Sequence, residues 1–497
     1  MPERDDPDWN EHEAGETIQI ENATRLEGHA KIDIHLDESG TVDRAYFQTT
    51  ELRGFEAFTE GRQLEELPRI APRICGICPW PHHMAATKAV DGVWNVEPTP
   101  TARSVRELLY TISHFADHLI HFYYLAAPDF VMGPEAAPDV RNILGLAEHL
   151  DEELVTAVAR ARREAHELLE SIAGRAIHPV FGLPGGVSNG IDPGERADIV
   201  ATTEEFVTLA ERSLDLFEKL VLADDSYRAL LTGEDVYYQR TNYLSLVDGD
   251  GQVTLFDGDL RVIDPEGAIR TETDPARYDE ILDERAVPWS YPTLPYLQAE
   301  GWPGLDGDVG GCYQVGPLAR INVADGFATP GAQSAYEQFR ATLPQPCHHT
   351  LAAHWARLIE LLYAAERANE LASDPAIAGD DLRRVPDGDP TAGVGAVEAA
   401  RGTLFHSYEA APDGTAASVD CLVPTNHNIP AINRAVERAA RELIDGPEPR
   451  EGLLNRVEMA FRAYDPCLAC ATHSAVGETP LTVRLYDHEG THRRTVE

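Results

Sequence analysis

Two short cysteine motifs, one near each end of the chain, limit how these 497 residues can fold. Each motif has the pattern C-x-x-C, the first at residues 75–78 and the second at residues 467–470. The two intervening residues let both thiolates of a motif reach one metal ion from a single turn. If one ion binds both motifs, the fold must bring the two ends of the chain together around a central site.

Four thiolates favour a soft or borderline metal such as zinc, nickel, copper or an iron cluster. A structural zinc site is the simplest alternative, but zinc ribbons usually hold their cysteine pairs about 15 to 20 residues apart. A thioredoxin-like redox pair is another, although no βαβ pattern surrounds the first motif. Disulfides are disfavoured because the N-terminal residues show no secretory signal.

The charge of the chain is strongly negative, with 84 acidic and 41 basic residues and a formal net charge of −43. Such a surface repels nucleic acids and anionic lipids, so we expect neither as a partner. Concentrated salt screens this self-repulsion, since the Debye length is about 3 Å at 1 M. We therefore predict a salt-loving source and, because no apolar run could span a bilayer, a cytoplasmic protein without membrane insertion.

The hydrophobic pattern predicts a mainly α protein with smaller β parts, of the α+β class. Residues 30–36 and 42–47 alternate in polarity around a turn, which is typical of a strand hairpin with one buried face. Apolar residues spaced three and four apart predict long helices that form a bundle core. These helices are expected at about 105–122, at 139–174, from Asp192 onward and at 335–372.

Composition also suggests a division of the chain. We predict an N-terminal β region at 1–70, a helical core at 71–234, a strand-containing elaboration at 235–330, a second helical part with the second metal motif at 331–473, and a C-terminal peptide at 474–497.

The flanking residues make both cysteine motifs more specific. The motifs read R-x-C-G-x-C-x-x-x-H from Arg73 and D-P-C-x-x-C-x-x-H from Asp465. Together they resemble the paired signatures of the large, catalytic subunit of nickel-iron hydrogenases. Four further segments are similar to that family, namely 24–29, 51–56, 121–130 and 398–402. The resemblance implies the large-subunit fold and the reversible cleavage of hydrogen into protons and electrons.

The resemblance also implies a metal centre. Its nickel ligands would be Cys75, Cys78, Cys467 and Cys470. The second cysteine of each motif would bridge nickel to an iron that carries carbonyl and cyanide ligands. Hydrogen has no polar handle, so its cleavage needs a metal and a nearby base. The terminal thiolate of Cys467 is the expected first base.

Further site residues follow from the same resemblance. Glu27 would accept the proton from Cys467, and His82 would hydrogen-bond a bridging thiolate. Arg401 would lie over the open face of the metals, paired with Asp129. The family usually has proline before this arginine, whereas this chain has Ala400.

A second metal site and a processing step are implied as well. Glu56 and His473 would bind magnesium or iron, with a backbone carbonyl near Cys421. In the family, a maturation endopeptidase cuts the chain after this histidine, so residues 474–497 resemble a peptide that is removed. The alternative is a native C-terminal strand, since residues 480–486 alternate in polarity.

Electrons from the metal centre can leave this chain only through a partner subunit that carries redox groups. Outside the two motifs only Cys312, Cys347 and Cys421 remain, whereas an iron-sulfur cluster generally takes four cysteines. We therefore expect an iron-sulfur small subunit. The amino-acid sequences of several segments resemble those of a cytoplasmic group that includes methyl-viologen-reducing hydrogenases linked to heterodisulfide reductase. The deazaflavin-reducing and nicotinamide-linked hydrogenases come next, so nicotinamide or flavin electron-transfer subunits are alternative partners.

Two functions of other classes remain alternatives. The quinone-site subunit of a complex I-like oxidoreductase resembles the same fold but lacks the paired nickel cysteines. A zinc-stabilised structural subunit would need the four thiols but no catalysis.

Overall fold

The structure is a computed structural model that describes residues 16–305 and 309–472, together with the backbone of two C-terminal strands. Within these parts the α-helices are α1 Phe55–Thr59, α2 Leu67–Ile70, α3 Pro79–Val93, α4 Pro100–Ile120, α5 Ala127–Val131, α6 Ile143–His149, α7 Glu152–Ala173, α8 Arg196–Phe217, α9 Asp225–Thr232, α10 Pro317–Val323, α11 Pro330–Thr342, α12 Ala352–Ser373, α13 Pro424–Leu443, α14 Glu451–Arg462 and α15 Leu468–Ala471.

The strands are β1 Thr17–Ile20, β2 Ala30–Leu36, β3 Val42–Thr49, β4 Gly182–Leu183, β5 Gly186–Val187, β6 Asn242–Val247, β7 Asp259–Ile263, β8 Ile269–Thr273, β9 Leu282–Arg285, β10 Leu294–Leu297, β11 Tyr313–Gln314, β12 Ala392–Ala399, β13 Gly402–Ala410, β14 Ala416–Leu422, β15 Val483–Tyr486 and β16 His492–Val496. These elements confirm the predicted α+β class.

Four long helices form the bundle at the centre of the fold, because α12 packs against α4 and α8, and α7 packs against α4 and α8. The apolar stripe of α4 is fully buried at Leu108, Ile112 and Phe115. This stripe joins a hydrophobic core that extends from β2 to Cys470, so both cysteine motifs lie in the same core as the bundle. Among the described residues, no helix is both long and apolar enough to cross a membrane.

Two predicted helices differ from the observed ones. The predicted helix at 335–372 is split into α11 and α12, since Pro344 and Pro346 lie between them and proline cannot continue a helix. The helix predicted at 139–174 is divided into α6 and α7, and α7 begins at Glu152, where the Asp151 side chain accepts a hydrogen bond from the backbone N–H of Glu153. Its expected end is confirmed, because Gly174 caps it with a left-handed φ of 75°.

Strands frame the bundle at three places. The predicted hairpin is confirmed as β2 and β3, and β1 extends it to a three-stranded antiparallel sheet. Residues 242–314 hold the strands β6 to β11. The antiparallel sheet β12-β13-β14 packs on α3, the helix that follows the first cysteine motif. Near the C-terminus the backbone of β15 pairs with that of β16.

Candidate metal centre

Both cysteine motifs stand at the start of a helix. Cys78 is the N-cap residue of α3, and Cys467 is the N-cap residue of α15. The backbone N–H groups of Ile77 and Cys78 point at Cys75, with nitrogen to Sγ distances of 3.3 and 3.4 Å. The positive end of a helix and free N–H groups stabilise thiolates.

The four sulfur atoms converge as one metal ion requires. The Sγ to Sγ distances are 3.3 Å for Cys75 and Cys467, 3.2 Å for Cys78 and Cys470, and 3.0 Å for Cys467 and Cys470. A metal with sulfur ligands at about 2.3 Å separates them by roughly 3.8 Å, whereas a disulfide bond is only about 2.05 Å long. All four residues are buried, and their sulfurs lie within 4.8 Å of one another. The donor set therefore fits a four-thiolate centre.

The N-terminal loop places Glu27 directly on the second motif. The Cys467 thiol donates to Glu27 Oε2 over 3.1 Å, and the backbone N–H of Ala469 donates to the same oxygen over 3.0 Å. Gly28 has a φ of 86°, and a Cβ there would come within 2.9 Å of the Leu468 Cβ. Only glycine allows this approach without strain. Burial raises the pKa of Glu27 above its ordinary value.

His82 on α3 contacts Cys470, with 3.3 Å between Nε2 and Sγ. Its other ring nitrogen lies 3.1 Å from His406 Nε2, and His406 in turn lies 2.6 Å from the Tyr408 hydroxyl. All three rings are buried. The network fixes the orientation of the imidazole that faces the sulfur.

Arg401 does not pair with Asp129, so that expectation is wrong. Its guanidinium donates to both carboxylate oxygens of Asp117, over 3.0 and 3.2 Å, and to Asp465. Burial would lower the pKa of Arg401, but Asp117 and Asp465 hold it well above its ordinary value. Its Nε also donates to the backbone carbonyl of Asp465 over 2.8 Å, two residues before Cys467, so Arg401 lies close to the second motif.

Asp129 belongs to a different ion-pair network. Its carboxylate accepts hydrogen bonds from Arg25 over 2.5 Å and from Arg462 over 2.6 Å. Burial alone would raise the pKa of Asp129, but these two arginines lower it below its ordinary value. A dozen helical residues span roughly 18 Å, so Asp117 and Asp129 reach different places along the same chain segment. The sequence gives one hint of a buried role for Asp117, since this acid lies between Phe115 and Leu119 of the apolar stripe, but it does not identify the partner.

Glu56 lies next to Cys421, whose backbone N–H donates to Glu56 Oε1 over 2.9 Å. The structure thus joins two of the positions named for the second metal site. His473, the third, lies outside the described residues, and so do the side chains of residues 474–497.

Comparison with known proteins decides the family. The family description "Nickel-dependent hydrogenase" matches residues 53–153 and 305–473, and the description "HoxL-like" matches residues 17–52. The chain belongs to the nickel-dependent hydrogenases. An iron-sulfur subunit of an F420-non-reducing hydrogenase from Archaeoglobus profundus is 43% identical over 96% of this chain and 99% of its own length.

Other hydrogenases are similar over nearly the whole chain. The NAD-reducing hydrogenase HoxS subunit beta from Cupriavidus necator is 36% identical over 95% of this chain and 98% of its own. A crystal structure of an NAD+-reducing [NiFe]-hydrogenase in the H2-reduced state superposes with a TM-score of 0.87 at 39% identity. That match covers 93% of this chain and all of the other. This hydrogenase chain is thus a catalytic subunit, and neither a quinone-site subunit nor a structural zinc subunit is favoured.

Proposed function

We propose that this chain is the large subunit of a nickel-iron hydrogenase that cleaves hydrogen reversibly and passes electrons to an iron-sulfur small subunit. One observation carries the proposal: four buried thiols from opposite ends of the chain converge on one point, with Glu27 touching Cys467. The test is to purify the protein with its subunits and measure nickel, iron and hydrogen-dependent dye reduction. Stoichiometric zinc without nickel, and no hydrogen uptake, would contradict the proposal.

The proposed nickel ligands are Cys75, Cys78, Cys467 and Cys470. Cys78 and Cys470 would also hold an iron with carbonyl and cyanide ligands, and their thiols lie 3.2 Å apart. When bound, the metals supply the Lewis acidity that lets dihydrogen lose a proton to a neighbouring base.

The chain itself supplies the path for that proton. The Cys467 sulfur is the proposed first acceptor, and Glu27 Oε2 receives the proton because it lies 3.1 Å away. Glu27 is partly exposed, so its carboxyl group connects the buried sulfur with the surface. The raised pKa of Glu27 brings this carboxyl group closer to the pH at which it can both take and release a proton.

Arg401 is proposed to give electrostatic support rather than to act as a base, because a guanidinium is hard to deprotonate. Two carboxylates hold it beside the thiolates, and His82 orients Cys470. Asp117 replaces Asp129 as the partner in this proposal.

Two matched substitutions test whether Arg401 depends on Asp117 rather than on Asp129. We expect Asp117→Asn to lower kcat by roughly 10- to 100-fold, since the partners that orient a catalytic group are worth about that much. We expect Asp129→Asn to leave kcat near the wild-type value but to lower the thermal midpoint, because Arg25 and Arg462 lose their shared carboxylate. Both variants are compared at equal nickel content. A larger loss of kcat in Asp129→Asn would contradict the assignment.

The second metal is proposed to be magnesium or iron bound by Glu56, His473 and the backbone near Cys421. The hydrogen bond between Glu56 and the Cys421 backbone supports this placement. Carboxylate and carbonyl oxygens suit such a hard cation.

The small subunit is proposed to dock beside the first cysteine motif. Large apolar side chains are exposed there at Phe58, Ile77, Ile177 and Val180. The neighbouring open cleft is lined by the arginines 62, 69, 73 and 175 and by Glu66, a local excess of positive charge on a strongly acidic chain. Apolar centres with polar rims are typical of stable subunit interfaces.

The electron acceptor beyond that subunit is proposed to be a heterodisulfide reductase-type partner. The resemblance of several segments to that group supports this choice, and the F420-non-reducing names of several relatives count only against a deazaflavin acceptor. The NAD-reducing relatives support nicotinamide-linked flavin subunits instead. Reduction of NAD+ by the purified complex under hydrogen would favour the nicotinamide-linked partner.

We also propose that the complex works in a salt-rich cytoplasm, since its acidic surface needs screening.

Maturation is proposed to remove residues 474–497 through an endopeptidase after His473. We therefore expect the chain in the active, nickel-containing enzyme to be lighter than the full sequence by the mass of this peptide. Intact-mass spectrometry of the purified complex checks this, with nickel-free protein as the control that should keep the peptide. Active enzyme that retains the peptide would contradict the proposal.

A further inference from the structure

Arg401 is one of the two turn residues of a hairpin. Ala399 at the end of β12 pairs with Gly402 at the start of β13, so only Ala400 and Arg401 lie between them. Such a turn fixes the backbone but leaves a long side chain free to adopt several rotamers. Something beyond the turn must hold the guanidinium beside the thiolates.

Arg320 on α10 forms hydrogen bonds with the strand that leads into this turn. Its Nη1 donates to Glu398 Oε2 over 2.5 Å and to the Ala399 carbonyl over 3.0 Å, and its Nη2 donates to the Ala400 carbonyl over 3.3 Å. The other oxygen of Glu398 accepts from the Thr403 hydroxyl over 2.6 Å, on the far side of the turn. Both sides of the hairpin are thus tied to one buried carboxylate.

The same guanidinium is anchored to the helix bundle. Its Nε and Nη2 donate to the two oxygens of Glu360 on α12, each over 2.6 Å. Paired bonds between arginine and a carboxylate are the most directional of the charged hydrogen bonds. Arg320, Glu360 and Glu398 have no exposed surface, so water does not compete for these contacts.

The ring closes through α4. Glu360 Oε2 lies 2.9 Å from His118 Nε2. Asp117, the neighbour of His118 in sequence, accepts hydrogen bonds from both terminal nitrogens of Arg401. Two adjacent residues of α4 therefore contact Arg401 on one side and Glu360 on the other. The circuit runs from Arg401 through α4, Glu360 and Arg320 back to the backbone before Arg401.

A metal ion is a rival explanation for part of this circuit. His114, His118 and Glu360 bring three possible ligand atoms within 4.8 Å. However, Arg320 already occupies both oxygens of Glu360 with a positive charge. A second cation at the same carboxylate would be repelled by that guanidinium.

We propose that Arg320, Glu360 and Glu398 are positioning residues, which with His118 and Asp117 form a closed buried ring that holds Arg401 in its working orientation. This inference rests on the proposed function of Arg401. None of the hydrogen bonds described for these residues reaches a cysteine sulfur, so the ring acts through Arg401.

The test uses Glu360→Gln in the purified complex, because the amide keeps the shape of the side chain but loses its charge. We expect kcat to fall by roughly 10- to 100-fold with unchanged KM for hydrogen and unchanged nickel content. We also expect faster hydrogen–deuterium exchange of the backbone amides in residues 398–403, with α12 as protected as in the wild type. Thr403→Val should change both quantities in the same direction but less, and decides the outcome if Glu360→Gln does not assemble.

The control is Asp91→Asn, which weakens another buried ion pair, with Arg106, where the shortest distance is 2.5 Å. It should lower stability without changing kcat or the exchange of residues 398–403. Unchanged kcat and exchange in the ring variants, or the same loss of kcat in Asp91→Asn, would overturn the proposal. If the wild type shows no hydrogen activity, the proposed function fails, and the exchange measurement still tests the ring. Zinc or another metal lost only in Glu360→Gln would favour the rival explanation.

Discussion

Replacing Cys470 with serine is expected to abolish hydrogen oxidation. The Cys470 sulfur lies near Cys78, Cys467 and the His82 ring, so its loss removes one of the sulfur atoms that face each other in the cluster. Serine offers a harder oxygen that stays protonated, which suits neither nickel nor iron in such a site. Losing the several kcal/mol of metal-based stabilisation corresponds to a fall in rate of roughly 1,000-fold or more. Nickel and iron contents should fall together with the activity.

A matched control is Cys312→Ser. Cys312 is also fully buried, but it lies near the Gly304 carbonyl and outside the sulfur cluster. This variant should keep its nickel and its activity, at some cost in stability. Wild-type nickel content in Cys470→Ser would show that the four thiols do not form one site.

Replacing Glu27 with glutamine should give the second largest effect. The amide still accepts the hydrogen bond from the Ala469 N–H, so the loop keeps its place, but it cannot take up a proton from Cys467. We expect isotope exchange between hydrogen and heavy water, and turnover, to fall by roughly 100-fold or more. Nickel and iron contents should match the wild type, because Glu27 is not a proposed metal ligand.

Two further variants show whether the effect belongs to the proton path. Glu51→Gln changes a neighbouring acid that pairs with the exposed His29 ring, and it should leave turnover unchanged. Glu27→Asp keeps a carboxyl group at a greater distance from the sulfur and should restore part of the exchange. Wild-type exchange in Glu27→Gln would remove Glu27 from the path.

The sequence singled out the four cysteines that the structure brings together, because local spacing and residue type carry that information. In each C-x-x-C motif the cysteines lie within one turn, so the sequence alone shows that both can bind one metal ion. The segment around Glu27 was found through its resemblance to the family, whereas the close approach of Gly28 to Leu468 became visible only in the structure. The strand hairpin and the α+β class followed from periodicity, which is a local property.

The partner of Arg401 was beyond the reach of the sequence. Asp117, Asp129 and Asp465 are all buried acids, and the sequence does not show which of them faces the turn after β12. That choice depends on how α4 packs against α12 and on where the hairpin lies against the bundle. The split between α11 and α12 likewise depends on two prolines whose effect the apolar spacing hides.

The sequence by itself determined which atoms can bind metal and which family the chain resembles, because these depend on residue types at short spacing. The tertiary structure alone decided which carboxylates meet which arginines. Arg401 with Asp117, and Arg320 with Glu360 and Glu398, join segments that are distant along the chain. Burial makes such pairs obligatory, since an unpaired charge in the core is costly, but packing selects the partner.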